Sequence, residues 1–374
     1  MNCKHFITCG SCTITKVGYE EELNEKRERV LKLLAPFGVQ NLATLSAHDA
    51  HYRARSEFRI WHNEEGAHYA MGRADRQGVV LIEECPKVIK PIEQRMMPLL
   101  KLINASPLLK SKLFAVEFLA ATTDEVLITL IYHKPLDEAW QIEAKGLESQ
   151  LDAWIMGRSR KQKVVLTQEY VTEKLFIDGR DYRYRHYESG FTQPNPAVNI
   201  QMIGWAIRQA QKVASGDFLE SYCGLGNFTI PIAKYFDKVL ATEISKRSIQ
   251  AAQENCQLNG VDNIAFIRLS SEEMTEALNG VREFRRLEGV DLSAYNFSTV
   301  LVDPPRAGLD RDTTELISHI DHIIYISCNP ETLARDLEVL VETHEIQEAA
   351  IFDQFPHTHH IESGVFLTRS IIRV

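Results

Sequence analysis

The sequence predicts an α/β protein: a doubly wound, mostly parallel sheet preceded by a smaller α+β half. Three observations carry this. After residue 190, apolar runs alternate with helical patterns, the rhythm of a sheet with helices on both faces. Before residue 190, strand-like runs dominate, with helices only at about 17–35, 92–104 and 138–152. Finally, three of the later strands end in residues that can carry chemistry. They are Glu220-Ser221-Tyr222-Cys223-Gly224-Leu225-Gly226-Asn227, Asp303-Pro304-Pro305-Arg306, and Ser327-Cys328-Asn329-Pro330. Strand ends form the rim of such a sheet, where ligands bind.

The early strand-like runs are 57–61, 113–119, 126–132 and 163–166. In the second half the expected strands are 217–221, 238–242, 264–268, 299–302, 322–326, 345–352 and 364–369. Helices are expected at about 195–213, 228–235, 246–258, 271–279, 312–318 and 330–343. Asn259-Gly260 closes the third of these with a residue suited to positive φ. The last two strands lack a full helix between them, which predicts a terminal antiparallel hairpin. No internal repeat or low-complexity tract is present.

Formal net charge is −9, from 42 Lys and Arg against 51 Asp and Glu. That excludes binding to polyanions by bulk charge but leaves room for a local basic groove. Basic residues cluster at Arg53, Arg55 and Arg59, at Arg158, Arg160, Lys161 and Lys163, and at Arg180, Arg183 and Arg185. Tyr182, Tyr184 and Tyr187 interleave with the last group. Each cluster alone reads equally well as a solvated face; several within one half point to RNA. No apolar run approaches the ~20 residues of a membrane span, and the first residues lack a signal-peptide core. The expected location is cytoplasmic, with no membrane partner and no evident obligate protein partner. Seven cysteines, an odd number, argue against a disulfide framework. Cys223 and Cys256 read as small core residues.

Gly224 and Gly226 let the backbone approach a ligand closely, and Asn227 opens a helix. The next strand ends at Glu243, about twenty residues on, where an acid can accept both hydroxyls of a nucleoside ribose. This spacing suits NAD and S-adenosylmethionine alike. The third glycine of the dinucleotide pattern is replaced by Thr229, which favours the methyl donor. Seven strands with a terminal hairpin are also the usual Rossmann-like sheet of S-adenosylmethionine-dependent methyltransferases. Residues 189–374 are read as that domain, 41–188 (with Cys85) as an α+β RNA-binding domain, and 1–40 as a cysteine-bearing segment and helix.

A thiol beside carboxylates suggests covalent attack on a base. Uracil C5 is a poor nucleophile until a group adds to C6, and a cysteine thiolate is soft enough to add and to leave again. Once C5 is methylated its hydrogen must be removed, which requires a nearby base. Glu362 precedes the last strand and can reach this edge; Asp303 can position cofactor or base. Asp-Pro-Pro also occurs in amino-group methyltransferases, but they place an aromatic next, where this chain has Arg306. His357, His359 and His360 read as loop packing or RNA contacts rather than metal ligands.

These residues resemble the RNA uracil-5-methyltransferase family, and the tRNA (uracil-5-)-methyltransferases within it. The likeness runs over most of the chain. It includes His51 to Arg53, Glu57-Phe58-Arg59-Ile60-Trp61-His62, Lys112-Leu113-Phe114, Leu130 to Lys134, Ser189 to Asn195, Asn279 to Phe284 and Phe352-Asp353-Gln354-Phe355-Pro356. The Ser-Cys-Asn-Pro and Asp-Gln-Phe-Pro runs are its most specific parts. The resemblance implies that Cys328 is the nucleophile and Glu362 the base. It implies that Gln193, Tyr222, Glu243 and Asp303 contact S-adenosylmethionine, with Gly224 and Asn227 shaping the turn. Phe114 resembles an aromatic that wedges into the tRNA T-loop when the target uridine is extruded, and Glu57, Arg59, His133 and Arg306 match RNA-contacting positions. The implied reaction is C5 methylation of the T-loop uridine at position 54 of tRNA. The alternatives are a uridine of 23S ribosomal RNA and a tRNA-folding (RNA chaperone) role.

Cys3, Cys9 and Cys12 form C-x5-C-x2-C, and Cys85 lies in Glu84-Cys85-Pro86. This set resembles that of relatives acting on ribosomal RNA, which hold a [4Fe-4S] cluster. Four thiolates can ligate such a cluster or zinc; vestigial thiols that hold nothing are the third reading.

Overall fold

The computed structural model describes residues 1–15 and 17–370. The second half builds a mixed sheet whose centre is parallel. In spatial order its strands are Ala43–Leu45, His344–Phe352, Glu362–Arg369, His322–Ser327, Phe297–Val302, Asp217–Ser221, Val239–Thr242 and Ile264–Ile267. Only Glu362–Arg369 runs antiparallel to its neighbours. The central strands read as continuous apolar runs because helices bury both faces; Val300, Leu301, Ile323, Ile324 and Tyr325 are fully covered. The chain order reverses between Asp217–Ser221 and Phe297–Val302, and this crossover point opens a crevice at the strand ends.

The sheet has eight strands rather than the expected seven. Ala43–Leu45, expected within the α+β half, pairs in parallel with Ala350 to Phe352 and covers that edge. Helix Tyr19–Leu34 packs on helix Pro330–Leu340, and Val30 and Leu34 join the core of the second half.

The first half is a seven-stranded sheet ordered Val79–Ile82, Gly66–Gly72, Arg55–Asn63, Leu113–Ala120, Val126–Tyr132, Trp154–Ser159 and Gln162–Val165. Helices Lys90–Ala105 and Glu138–Leu151 contribute Met96, Leu99 and Trp140 to one core with Phe58, Tyr69 and Phe118. A separate hairpin, Tyr170–Ile177 with Arg180–Tyr187, packs on helix Lys246–Asn259. Two asparagines of that helix satisfy the hairpin's free edge. Asn255 accepts from the Arg185 amide at 2.7 Å, and Asn259 accepts from the Arg183 amide at 2.9 Å while donating to its carbonyl at 2.7 Å. Among the described residues no helix is long and apolar enough to cross a membrane.

Gly157 packs closely against the Trp140 ring of helix Glu138–Leu151. A Cβ there would lie 2.6 Å from Leu136 Cδ1 and closer still to the buried Trp140 ring. Gly157→Ala is expected to lower stability by about 1–3 kcal/mol through overpacking, measured as a lower urea midpoint with an unchanged slope.

Candidate active site

Strand register alone gathers the site. Val302 pairs with Ser221 on one side and with Tyr325 on the other, and Ser221 pairs with Thr242. Each chain leaves its strand at the same edge, so Tyr222, Glu243, Asp303 and Cys328 emerge together. The antiparallel strand pairs Ser363 with Ser327, and Ser363 Oγ donates to the Ser327 carbonyl at 3.3 Å. One residue further along, Glu362 arrives opposite Cys328. Gln193, Tyr222, Gly224, Glu243, Asp303, Cys328 and Glu362 all line one cavity of about 470 Å³, within the range of small-ligand sites.

The turn above Asp217–Ser221 is built for close approach. Tyr222, Gly224 and Gly226 all have positive φ (65°, 54° and 86°). A Cβ on Gly224 would meet nothing within 4 Å, so that side stays open, whereas one on Gly226 would press on Ile230. Glu243 accepts from the amides of Gly224 at 3.3 Å and Ser245 at 2.7 Å. Gln193 Oε1 is buried without a hydrogen-bond partner among the described residues, as expected of an acceptor that serves a ligand. This open turn, cavity-lining acid and orphaned amide fit S-adenosylmethionine. Asn227 stands slightly apart. Its amide pairs reciprocally with Asn199 at 2.9 Å, and it lines a small adjoining pocket.

Electrostatics in the cavity disfavour ionisation. Burial, then the Asp303 charge, hold Glu362 well above the carboxylate range, with Arg306 opposing. Burial also raises Asp303, part of whose surface opens to the cavity. Cys328 follows Ser327 and directly precedes the Asn329 cap of helix Pro330–Leu340, a position that favours a thiolate. Burial and then the Glu362 and Asp303 charges outweigh this and push the thiol up to about 11. Glu220, buried beneath the turn, is pushed up to about 8 by burial, and its Oε2 has no partner among the described residues.

Arg306 joins the Cys328 turn to the segment before Glu362. Its carbonyl accepts from Asn329 Nδ2 at 2.9 Å, and its guanidinium lies 3.0 Å from His360 Nδ1. The other expected RNA residues sit on the first sheet, outside this cavity. A bulge between Leu113 and Ala115 turns Phe114 out of register. Phe114 stacks on His133 with centroids 4.3 Å apart, and Arg59 lies 5.6 Å over the same ring. Glu57 is exposed on the strand of Arg59. Arg55, on that strand, donates to the Gly190 carbonyl and so ties the sheet to the cavity wall.

Phe191 was not singled out, yet it lines the cavity and is 71% exposed. Its signal was available: a large aromatic in the polar turn two residues before Gln193. Conversely, Tyr182 and Tyr184 are core residues, not part of a basic RNA face. Arg55, Arg158, Lys163 and Arg185 are paired with Glu117, Glu188, Glu169 and Glu254. Cys223 and Cys256 are buried.

Cys9 and Cys12 are buried, and Cys3 and Cys85 are half-buried. Burial raises the Cys3 and Cys12 thiols and pushes Cys85 up to about 11; beyond that, Cys9 opposes ionisation of Cys3 and Cys12, and Cys12 that of Cys85. Lys87 Nζ donates to the Ser11 carbonyl at 3.0 Å and so brings the Cys85 segment to the Cys12 turn. Among the described residues, however, no three Cys, His, Asp or Glu side chains are set to hold a single metal ion.

Residues 18–370 match the family model of tRNA (Uracil-5-)-methyltransferase. The tRNA/tmRNA (uracil-C(5))-methyltransferase of Sulfurovum sp. (strain NBC37-1) is 66% identical over 99% of this chain and 100% of its own length. That of a Nitratiruptor species is 52% identical over the same shares. In fold, the chain is similar to Pyrococcus abyssi tRNA (uracil-54, C5)-methyltransferase in complex with S-adenosyl-L-homocysteine. The TM-score is 0.72 at 24% identity, covering 96% of this chain and 86% of that one. With its strand-edge cavity and a match over nearly its whole length, the chain belongs to the tRNA (Uracil-5-)-methyltransferase family.

Proposed function

We propose that the protein transfers a methyl group from S-adenosylmethionine to C5 of a uridine in tRNA, at T-loop position 54. The names of its relatives extend the substrate to tmRNA. One observation carries the chemistry: Cys328 and Glu362 line one cavity at the paired ends of adjacent strands. The Cys328 sulfur adds to C6, and the electron pair moves toward C5 and O4. C5 then attacks the methyl carbon, whose bond to the sulfonium sulfur breaks, with S-adenosylhomocysteine as the leaving group. Glu362 removes the C5 proton, the C6–sulfur bond breaks, and the thiolate is released. Glu243 holds the cofactor's ribose, with Gln193, Tyr222 and Asp303 around it and Asn227 bracing the turn. Phe114 takes the place left by the extruded base, stacking at roughly 1–3 kcal/mol against an extrusion cost of a few kcal/mol. Glu57, Arg59, His133 and Arg306 contact the RNA.

The four cysteines are the thiolate set that a [4Fe-4S] cluster takes, with zinc as the alternative. Cys3, Cys9, Cys12 and Cys85 would hold the cluster, and it would tie together the segments that carry them. Anaerobically purified protein is expected to contain iron and sulfide at about four atoms each; stoichiometric zinc overturns this assignment.

Tritium release from C5-labelled uridine tests the reaction. Release is expected from a T-arm transcript and not from a 23S ribosomal fragment. Release from the ribosomal fragment alone would move the substrate to ribosomal RNA. Folded, cofactor-loaded protein that releases tritium from neither, yet refolds tRNA, would act as a chaperone.

The free thiol also makes a prediction. Alkylation of Cys328 by iodoacetamide should rise with pH to a midpoint near 11. Glu362→Gln should lower that midpoint, because a carboxylate charged at that pH no longer opposes the thiolate. Burial, the larger cause, should keep it above the ordinary thiol value.

A further inference from the structure

The segment between Phe352 and Glu362 is buried but polar. Asp353, Gln354, His357 and Thr358 are all shielded from solvent. A buried polar loop holds one conformation only if specific partners satisfy it. The partners here lie far away in sequence. Lys26 Nζ sits 2.8 Å from Asp353 Oδ1 and 2.7 Å from Glu22 Oε1, and donates to the Phe355 carbonyl at 3.1 Å. Tyr19 Oη donates to Asp353 Oδ2 at 2.8 Å. The His357 amide donates to Glu22 Oε1 at 2.7 Å, and its ring lies 3.4 Å from Glu22 and 3.2 Å from Asp49. Glu22 and Lys26 are as buried as the segment they hold.

His357 has a φ of +63°. A bulky residue stays in that region only where its surroundings over-determine it. The surroundings do so from both sides. The amides of Thr13 and Ile14 donate to the His357 carbonyl at 2.9 and 3.2 Å, and Tyr52 Oη donates to the Pro356 carbonyl at 2.9 Å. Phe6 packs edge-on against the His357 ring. Downstream, His360 meets Arg306, whose carbonyl binds the Asn329 side chain beside Cys328. The strap is thus tethered to helix Tyr19–Leu34 at its start and to the thiol's own turn at its end, and it delivers Glu362.

We propose that Lys26 and His357 are positioning residues for the proton-removal step. Through a buried network with Glu22, Asp49 and Asp353, they fix the strap that aims Glu362 at the methylated C5. This rests on the reading of Glu362 as the base. A buried ion network is a poor source of net stability, so its value here is to specify one strap conformation. The attack of Cys328 does not draw on the strap directly, since the thiol is placed by its own strand and helix cap.

Two variants of the holoenzyme test this. His357→Asn keeps a residue that tolerates positive φ but loses the ring between Glu22 and Asp49. Lys26→Met/Asp353→Asn removes both members of one buried pair and leaves Glu22 the His357 amide and ring as partners. Single-turnover assays on a T-arm transcript should follow labelled methyl transfer and decay of the covalent adduct separately, with Glu362→Gln run alongside. The expected result is methyl transfer near the wild-type rate with adduct decay slowed roughly 10- to 100-fold, the scale of a misplaced catalytic group. If Glu362→Gln traps adduct while both folded variants resolve it normally, the positioning role is wrong and the base assignment stands. Equal losses in transfer and decay would reduce the network to a structural one and also overturn the proposal. If Glu362→Gln resolves its adduct normally, the base assignment itself fails. Should the double variant not fold, His357→Asn alone decides the matter.

Discussion

The chemistry depends on one strand running against its neighbours. Glu362–Arg369 lies antiparallel between His322–Ser327 and His344–Phe352, so its first residue arrives where the parallel strands end. A parallel strand in the same slot would begin at the opposite edge. At about 3.3 Å per residue, that would separate Glu362 from Cys328 by roughly 20 Å. A slip of one residue would be nearly as harmful, because it turns each side chain to the other face. The Ser363 bond to the Ser327 carbonyl and the close fit of Gly364 guard against it. A Cβ on Gly364 would stand 3.0 Å from Phe352 and 3.1 Å from both Ile326 and Trp205.

Proximity has an electrostatic consequence. A thiol and two carboxyls share a cavity closed off by the sheet edge, and burial holds all three toward their protonated forms, with charge repulsion adding to it at Cys328 and Glu362. Helix Pro330–Leu340 and Arg306 pull the other way and do not prevail. On the proposed mechanism this is useful. An empty site keeps its nucleophile as a thiol, protected from adventitious oxidation and alkylation. A cationic methyl donor then supplies the missing positive charge beside both carboxylates and favours the ionised forms. Binding of the correct reactant and activation of the nucleophile become one event.

Much of this was legible in the sequence because each rim residue ends an apolar run and meets turn chemistry at once. Tyr222, Glu243, Asp303 and Cys328 all follow that pattern, and Glu362 opens the final strand. What was not legible depends on distant partners. Ala43–Leu45 is too short to show alternation and becomes a strand only by covering the edge of His344–Phe352. The basic clusters looked like an RNA surface because their acidic partners lie elsewhere in the chain; Glu117 answers Arg55 and Glu254 answers Arg185. The inward placement of Tyr182 and Tyr184 was readable in retrospect, since they alternate with Arg183 and Arg185 at the period of a strand. The strap carried its residues openly, but nothing in Glu22, Lys26 or Asp49 announced that they would meet His357.

The two halves must also hold a fixed distance if a wedge in one is to serve a thiol in the other. The short segment Tyr52 to Arg55 sets that distance. Tyr52 binds the strap at Pro356, the Ala54 amide donates to the Pro194 carbonyl at 2.8 Å, and Arg55 binds the cavity wall at Gly190. Arg55 begins the strand that carries Glu57 and Arg59 and lies beside the Phe114 bulge. Three ties within four residues therefore connect the proposed RNA-reading face to the strap, the Gln193 turn and the cavity rim. Motion of either half against the other would have to break backbone-directed bonds at all three. On this argument the base is brought to a preformed site, and little of the specificity need come from closure of one half upon the other.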